Sequence, residues 1–269
     1  MKKRGLYFFS MLVFGIAACN NEKAADNPKA TTILPAGEQQ LKDLIKQYPD
    51  SLLLKENLVQ YYTDNGNYSA GLKEVDDAIS KDSMNPRLWD IRATLHFENA
   101  DTLSAISDFE RAIKIFPNPE YMISLGTLYA QTKNTLALKI ADELLSNSKS
   151  KADLQALFIE GLYYSFSNDK LKAIDAFDKC LVLNHTFMDA YREKAIALYD
   201  LGKYTDALAV LDKALTLQNN YDEGYYYSGK CLEKLNRIPE AIESYQNALK
   251  LSPDYVEPRD ALGRLGVKS

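Results

Sequence analysis

The sequence predicts an all-α chain in which about six helix–turn–helix units stack into a solenoid behind an N-terminal export segment. Three observations carry that expectation. Small and large apolar residues recur at helical spacing in blocks that repeat at about 34 residues. Shorter helical segments flank the blocks at both ends, as a stack needs if its last apolar faces are to be kept from water. The first eighteen residues have a different composition from everything after them.

That first stretch is export machinery. Lys2, Lys3 and Arg4 precede an apolar run from Leu6 to Ala18 that closes in small residues, the layout of a secretory signal. At about thirteen residues it is shorter than the roughly 20 that a bilayer-spanning helix needs, so it does not serve as a permanent anchor. The run ends Ile16-Ala17-Ala18-Cys19. This resembles the bacterial lipobox, which implies cleavage after residue 18, acylation of the Cys19 sulfur and usually of the new amine. The alternative is an ordinary secreted protein with a cysteine near its cleavage site. Each buried acyl methylene contributes about 0.8 kcal/mol, and two or more chains hold a protein stably where one does not. Residues 19–36 then read as a lipidated flexible linker: from Asn20 the sequence is polar, carries Pro28 and Pro35 and lacks apolar periodicity. As a random coil it averages roughly 22 Å end to end.

Residues 1–18 hold three basic and no acidic residues, so processing moves the formal charge from -5 to -8. Clustered Lys and Arg of the kind that bind phosphate are missing, which argues against nucleic acid and anionic lipid as partners. Cys180 and Cys231 fall in repeats that are not neighbours and read as small apolar core residues.

Glu38 to Tyr48, with Leu41, Leu44 and Ile45 at helical spacing and Pro49 after them, makes residues 37–51 an N-terminal capping helix. Six units follow over residues 52–255, starting at Leu52, Pro86, Glu120, Leu154, Met188 and Asp222. The last is the most regular, with Tyr225, Gly229, Leu232, Ala241, Tyr245, Ala248 and Pro253. Tyr191, Ala195, Leu198, Ala207, Leu211 and Ala214 mark the fifth, and Leu157, Gly161, Tyr164, Ala173, Phe177 and Cys180 the fourth. Trp89, Ala93, Ala105, Phe109, Ala112 and Pro117 mark the second. Small residues let helices approach while large ones fill between them. In the first unit Gly71, Val75 and Ala78 keep the second-helix marks, but Lys55 replaces a bulky residue. In the third, Gly126 and Tyr129 stand one residue early and Ala137, Ala141 and Leu144 mark the second helix. A shortened inner turn and a long exit through Ser146 to Lys151 are expected there. Residues 256–269 form a C-terminal capping helix that includes Leu262 and Gly263.

These marks resemble the tetratricopeptide repeat family, and with the lipobox the chain is similar to bacterial repeat lipoproteins. The resemblance implies a right-handed superhelix whose first helices line a concave groove. Carried across, it places Glu56, Asp64, Asp90, Phe97, Glu98, Phe158, Leu162, Phe166, Arg192, Tyr199, Asp200, Tyr226, Lys230 and Glu233 on that groove. Phe97, Phe158, Phe166, Tyr199 and Tyr226 are expected to be partly exposed. Aromatics supply contact area and acids supply charge selectivity, so a peptide with basic and apolar residues is the expected ligand. The family's carboxylate clamp is not expected, because Glu56 with Gln60, Asp90 with Thr94 and Arg192 with Ile196 stand at its positions.

No catalytic constellation is visible. His96 stands at a packing mark and His185 in an inter-repeat turn, with no metal-ligand spacing to a cysteine or second histidine. Phosphate-cradling glycine loops, a nucleophile elbow and paired zinc histidines are also missing, so no cofactor, metal or small-molecule substrate is expected. Adjacent acids such as Asp76 and Asp77 point in different directions on a helix and read as a solvated face. The expected function is a scaffold or adaptor for partner proteins, or a subunit of an outer-membrane assembly, secretion or nutrient-uptake complex. Asn20, where an aspartate would retain the lipoprotein at the inner membrane, and the lack of an acidic run after Cys19 favour the outer membrane facing the periplasm of a Gram-negative bacterium.

Overall fold

The computed structural model describes residues 37–146 and 151–267. The expected signal segment, Cys19 and the expected linker lie outside them, as do residues 147–150 of the expected long exit. Among the described residues are fourteen α-helices and no strand, and no helix is long and apolar enough to cross a membrane. The chain forms two compact units that divide between Ser124 and Leu125.

The first unit holds α1 (Glu38–Gln47), α2 (Leu52–Asp64), α3 (Tyr68–Lys81), α4 (Pro86–Glu98), α5 (Thr102–Ile115) and the start of α6 (Pro119–Gln131). Leu41 of α1 packs with Leu58 and Tyr62, so α1 covers the outer face of α2. Val59, Val75, Ile79, Leu88 and Leu95 then join α2, α3 and α4 in one apolar layer. Ala93, Ala105, Phe109 and Ala112 are completely buried where α4 meets α5.

The second unit holds the rest of α6, then α7 (Leu136–Ser146), α8 (Asp153–Phe166), α9 (Lys170–Leu183), α10 (Met188–Asp200), α11 (Tyr204–Leu217), α12 (Asp222–Lys234), α13 (Ile238–Leu251) and α14 (Val256–Arg264). Consecutive helices from α7 to α14 pack on one another, and α10 also touches α8 and α12. Contact between every other helix is the mark of a stacked array of hairpins. Its core runs through Ala195, Ala207, Leu211, Leu232, Ala241 and Tyr245 to Ala261 and Leu262 of the terminal helix.

The helix starts follow the sequence period closely. First helices begin at Leu52, Pro86, Met188 and Asp222 as expected, and at Pro119 and Asp153, one residue before the expected Glu120 and Leu154. The inner turns explain the regularity. Each places a residue with positive φ two positions after the first helix: Gly66, Ala100, Lys133, Asn168, Gly202 and Asn236. Its N–H and the next one bond back to carbonyls of the finished helix, as Gly66 N to Thr63 O at 2.9 Å and Asn67 N to Tyr62 O at 2.7 Å. This is the Schellman closure. The same next residue then starts the second helix: Asn67, Asp101 and Asp169 accept from backbone N–H groups three residues on. One residue thereby ends one helix and caps the next. Lys133 and Asn134 build this same turn in the third repeat, with Asn134 N to Tyr129 O at 2.7 Å. The expected shortened inner turn is therefore corrected: the turn is regular, and α6 simply starts one residue early.

Two glycines let paired helices close. A Cβ on Gly161 would lie 2.5 Å from the Phe177 ring, and one on Gly229 2.5 Å from the Tyr245 ring. Both rings are fully buried, so each glycine seats an aromatic against bare backbone.

Candidate functional site

In the first unit the first helices α2 and α4 touch each other and bring Glu56 and Asp90 onto one arginine. Arg87 Nε donates to Glu56 Oε1 at 2.8 Å and Nη1 to Asp90 Oδ2 at 2.7 Å. Burial pushes the Asp90 carboxyl up to about 6, and the charges of Glu120 and Glu56 add to it against the pull of Arg87. Farther along, exposed Asp64 accepts from Gln60 at 2.8 Å, and burial raises Glu98. This face is acidic. Phe97 is not part of it: only 3% exposed, it lies four residues after fully buried Ala93 and so falls on the core stripe of α4. Its expected exposure is corrected.

In the second unit the corresponding row lies on α8, α10 and α12. Phe158 and Leu162 are buried, at 4% and 3%. Phe158 stacks between Phe177 and Phe187, with centroids 5.6 and 5.0 Å away, so its expected exposure is also corrected. Phe166, one turn beyond Leu162, is 42% exposed. Tyr199 and Tyr226 are half-buried as expected.

Arg192 is enclosed rather than presented. It pairs with Asp189 at 3.1 Å, Glu193 at 3.2 Å and Glu223 at 2.5 Å, and its side chain is 8% exposed. Burial raises the Asp189 and Glu193 carboxyls, while Arg192 draws them back down. Three carboxylates around one guanidinium leave this part of the face net acidic.

Lys230 lies a turn beyond Tyr226. Its ammonium stands 4.9 Å from the Tyr199 ring centre, 5.3 Å from Tyr227 and 5.7 Å from Tyr226. A cation over a ring gains about 0.5–1 kcal/mol when exposed and about 2 when desolvated, less than the several kcal/mol that effective desolvation of a buried ion costs. Consistent with a shortfall, burial lowers the Lys230 pKa below its ordinary value. Nearby acids are engaged elsewhere: Asp200 with Lys170 at 2.7 Å, and Glu233 with Arg264 and the Tyr245 hydroxyl.

Lys170 itself has only 13% of its side chain exposed and donates to Asp200, a structural contact. Cys180 and Cys231 are buried and unpaired, with thiols pushed by burial to about 12 and 11. Thiols so protonated are inert at neutral pH. His96 lies 3.6 Å from Asp101 and 3.8 Å from Asp108, and no group of metal-ligating residues occurs among the described residues.

A tetratricopeptide repeat family model matches residues 192–256, the stretch that carries Arg192, Tyr199, Tyr226 and Lys230. The chain has the tetratricopeptide repeat fold. Among solved structures, a tetratricopeptide repeat protein from Parabacteroides merdae ATCC 43184 superposes with a TM-score of 0.69 at 21% identity, over 84% of this chain and 90% of that one. PilW, described as a widely conserved type IV pilus biogenesis factor, gives 0.63 at 19% identity, over 78% of this chain and 97% of its own. A chain of the Cut9–Hcn1 hetero-tetramer gives 0.58 at 21% identity, over 85% of this chain and 46% of that one. No curated protein matches at the level of sequence.

One pattern of this tetratricopeptide repeat fold escaped the sequence reading. Glu56 with Arg87, Arg192 with Glu223 and Glu233 with Arg264 are each 31 residues apart. A step of one repeat less three residues links a side chain to the nearer end of the next first helix. Arg92 similarly reaches Asp76 and Asp108, each 16 residues away, and Lys194 reaches Asp178 at the same spacing. Opposite charges at these separations mark Arg87 against Glu56 and Glu223 against Arg192, and so identify Arg192 as scaffold rather than ligand.

Proposed function

We propose that this chain is a non-enzymatic adaptor of the bacterial envelope, held by acyl chains on Cys19 and binding a partner protein along its first helices. The observation that carries the binding reading is the contrast between the two kinds of residue on those helices. Small and large apolar residues are consumed by packing, whereas Glu56, Asp90, Phe166, Tyr199, Tyr226 and Lys230 remain partly accessible and chemically varied. Within each unit such a surface, with more acid than base around Arg87 in the first and around Arg192 in the second, suits a partner segment with apolar and basic residues. The Cut9 chain stands in a hetero-tetramer and PilW serves pilus biogenesis. A subunit role in an outer-membrane assembly, secretion or nutrient-uptake complex is the same reading in a larger context.

The anchoring part rests on Lys2 to Arg4, the apolar run and Ile16-Ala17-Ala18-Cys19, with Asn20 favouring the outer membrane and a periplasmic orientation. Mass spectrometry of the mature N-terminus should find acylated Cys19, and Cys19→Ser should leave an unacylated precursor. A mature chain that begins elsewhere refutes the anchor. For the binding face, photo-crosslinking residues at Phe166 or Tyr199 should trap a defined partner in living cells, while the same residue at Leu171 or Val182 of α9 should not. Trapping only from α9 would move the binding face to the second helices.

A further inference from the structure

Within the second unit one group on the proposed binding face has no counterpart. Arg192, Lys194, Lys170 and Arg264 each hold carboxylates of the chain itself. Lys230 holds none among the described residues, although its ammonium is half-buried over Tyr199, Tyr226 and Tyr227. The nearest acids do not answer it, because Asp200 is bound by Lys170 and Glu233 by Arg264 and Tyr245. The three rings restrict the ammonium sideways and strip part of its water. Tyr199 and Tyr226 also have hydroxyls with no hydrogen-bond partner among the described residues. One unpaired cation and two free O–H donors on adjacent helices, α10 and α12, make a set that an oxyanion completes.

We propose that Lys230, Tyr199 and Tyr226 form a subsite for the side-chain carboxylate of an Asp or Glu in the partner segment. This rests on the first-helix binding reading and adds to it a position of fixed sign. The surrounding charge makes the site selective: Arg192 with its three acids presents net negative charge on the same helices, so a uniformly acidic segment is repelled there. The fitting partner is a segment of mixed charge, with basic and apolar residues against the acidic stretch and a single acid opposite Lys230.

The test uses the mature full-length chain and a random peptide library displayed with both peptide ends fused, so that no free terminal carboxylate is available. Selected sequences are resynthesised with blocked ends and measured by fluorescence anisotropy. Peptides displaced by bulky substitutions at Phe166 should share an Asp or Glu at one position. Changing it to Asn or Gln should weaken binding about tenfold to the wild type and less than twofold to Lys230→Gln. Tyr226→Phe and Tyr199→Phe, which keep the rings, should each lose about threefold on acidic peptides and nothing on their amides. Urea midpoints of the three variants within error of wild type show that binding, not folding, is read. Peptides that compete at Phe166 yet ignore Lys230 overturn the subsite alone. Selection that yields no peptide sensitive to Phe166 overturns the first-helix binding reading, and with it the subsite. Displacement by millimolar inorganic phosphate as readily as by an acidic peptide overturns the assignment to a side-chain carboxylate.

Discussion

Gly161→Ala and Gly263→Ala are the same chemical change in one repeat array, and the structure assigns them opposite signs. Both glycines are helical, so each substitution gains up to about 1 kcal/mol from the better helix propensity of alanine. At Gly263 a Cβ meets nothing within 4 Å, and the gain stands, reduced by the position near the end of α14. At Gly161 the Cβ would lie 2.5 Å from Phe177 Cε1 and 2.8 Å from Cδ1, where carbon atoms prefer about 3.5–4.0 Å. The ring must move by about 1 Å. It is fully buried and backed by Phe158 at 5.6 Å, so it has little room, and overpacking of this kind costs about 1–3 kcal/mol. Gly161→Ala should therefore come out net destabilising by up to about 2 kcal/mol, and the two variants should differ by about 1–3 kcal/mol. Urea denaturation followed by far-UV circular dichroism measures both. In a Phe177→Leu background the penalty at Gly161 should shrink, because the atoms that collide are gone. Equal stabilisation by the two alanines, or a penalty indifferent to Phe177, would refute the packing of glycine against ring and the register built on it.

Ala100→Gly and Lys133→Gly relieve positive φ values of 61° and 58° at inner turns where other repeats place Gly or Asn; each should stabilise by about 0.5–1 kcal/mol in the same assay, and a loss would contradict the left-handed assignment. Arg192→Met leaves Asp189, Glu193 and Glu223 without their cation and should cost about 3 kcal/mol at neutral pH, read as a lowered urea midpoint, whereas a pure ligand residue would leave stability unchanged. Asp90, raised from 3.8 to about 6, binds its proton more tightly folded than unfolded, so its contribution to stability is present below about pH 4 and is lost as pH rises through about 6. Relative to Asp90→Asn, the wild-type chain should lose about 2–3 kcal/mol between pH 4 and 7, and a constant difference between the two across that range would remove Asp90 from the account.

The repeats were legible because the marks that define them are local and obey helical spacing. Ala93, Ala105, Phe109, Ala207, Leu211, Ala241 and Tyr245 were placed from spacing alone and are all buried. The inner turns were less visible, since the left-handed position accepts Gly, Asn, Ala and Lys alike in this chain. What shows the third turn to be regular is a backbone conformation, not a residue type.

The helical period, the helix pairs and the role of the small residues are written in the amino-acid order, because each follows from the geometry of a single helix and its neighbour. That order did not determine which first-helix residues face outward. Phe97, Phe158, Leu162 and Arg192 have the chemistry of a binding surface, and only the tertiary structure buries the first three in packing and encloses the fourth among carboxylates from two helices. Whether a charge is spent inside the molecule or left for a partner depends on its separation from charges about one repeat away. That separation is set by how the hairpins stack, and so Arg192 and Lys230, alike in sequence as cations of first helices, end as a structural strut and as a cation that tyrosine rings surround.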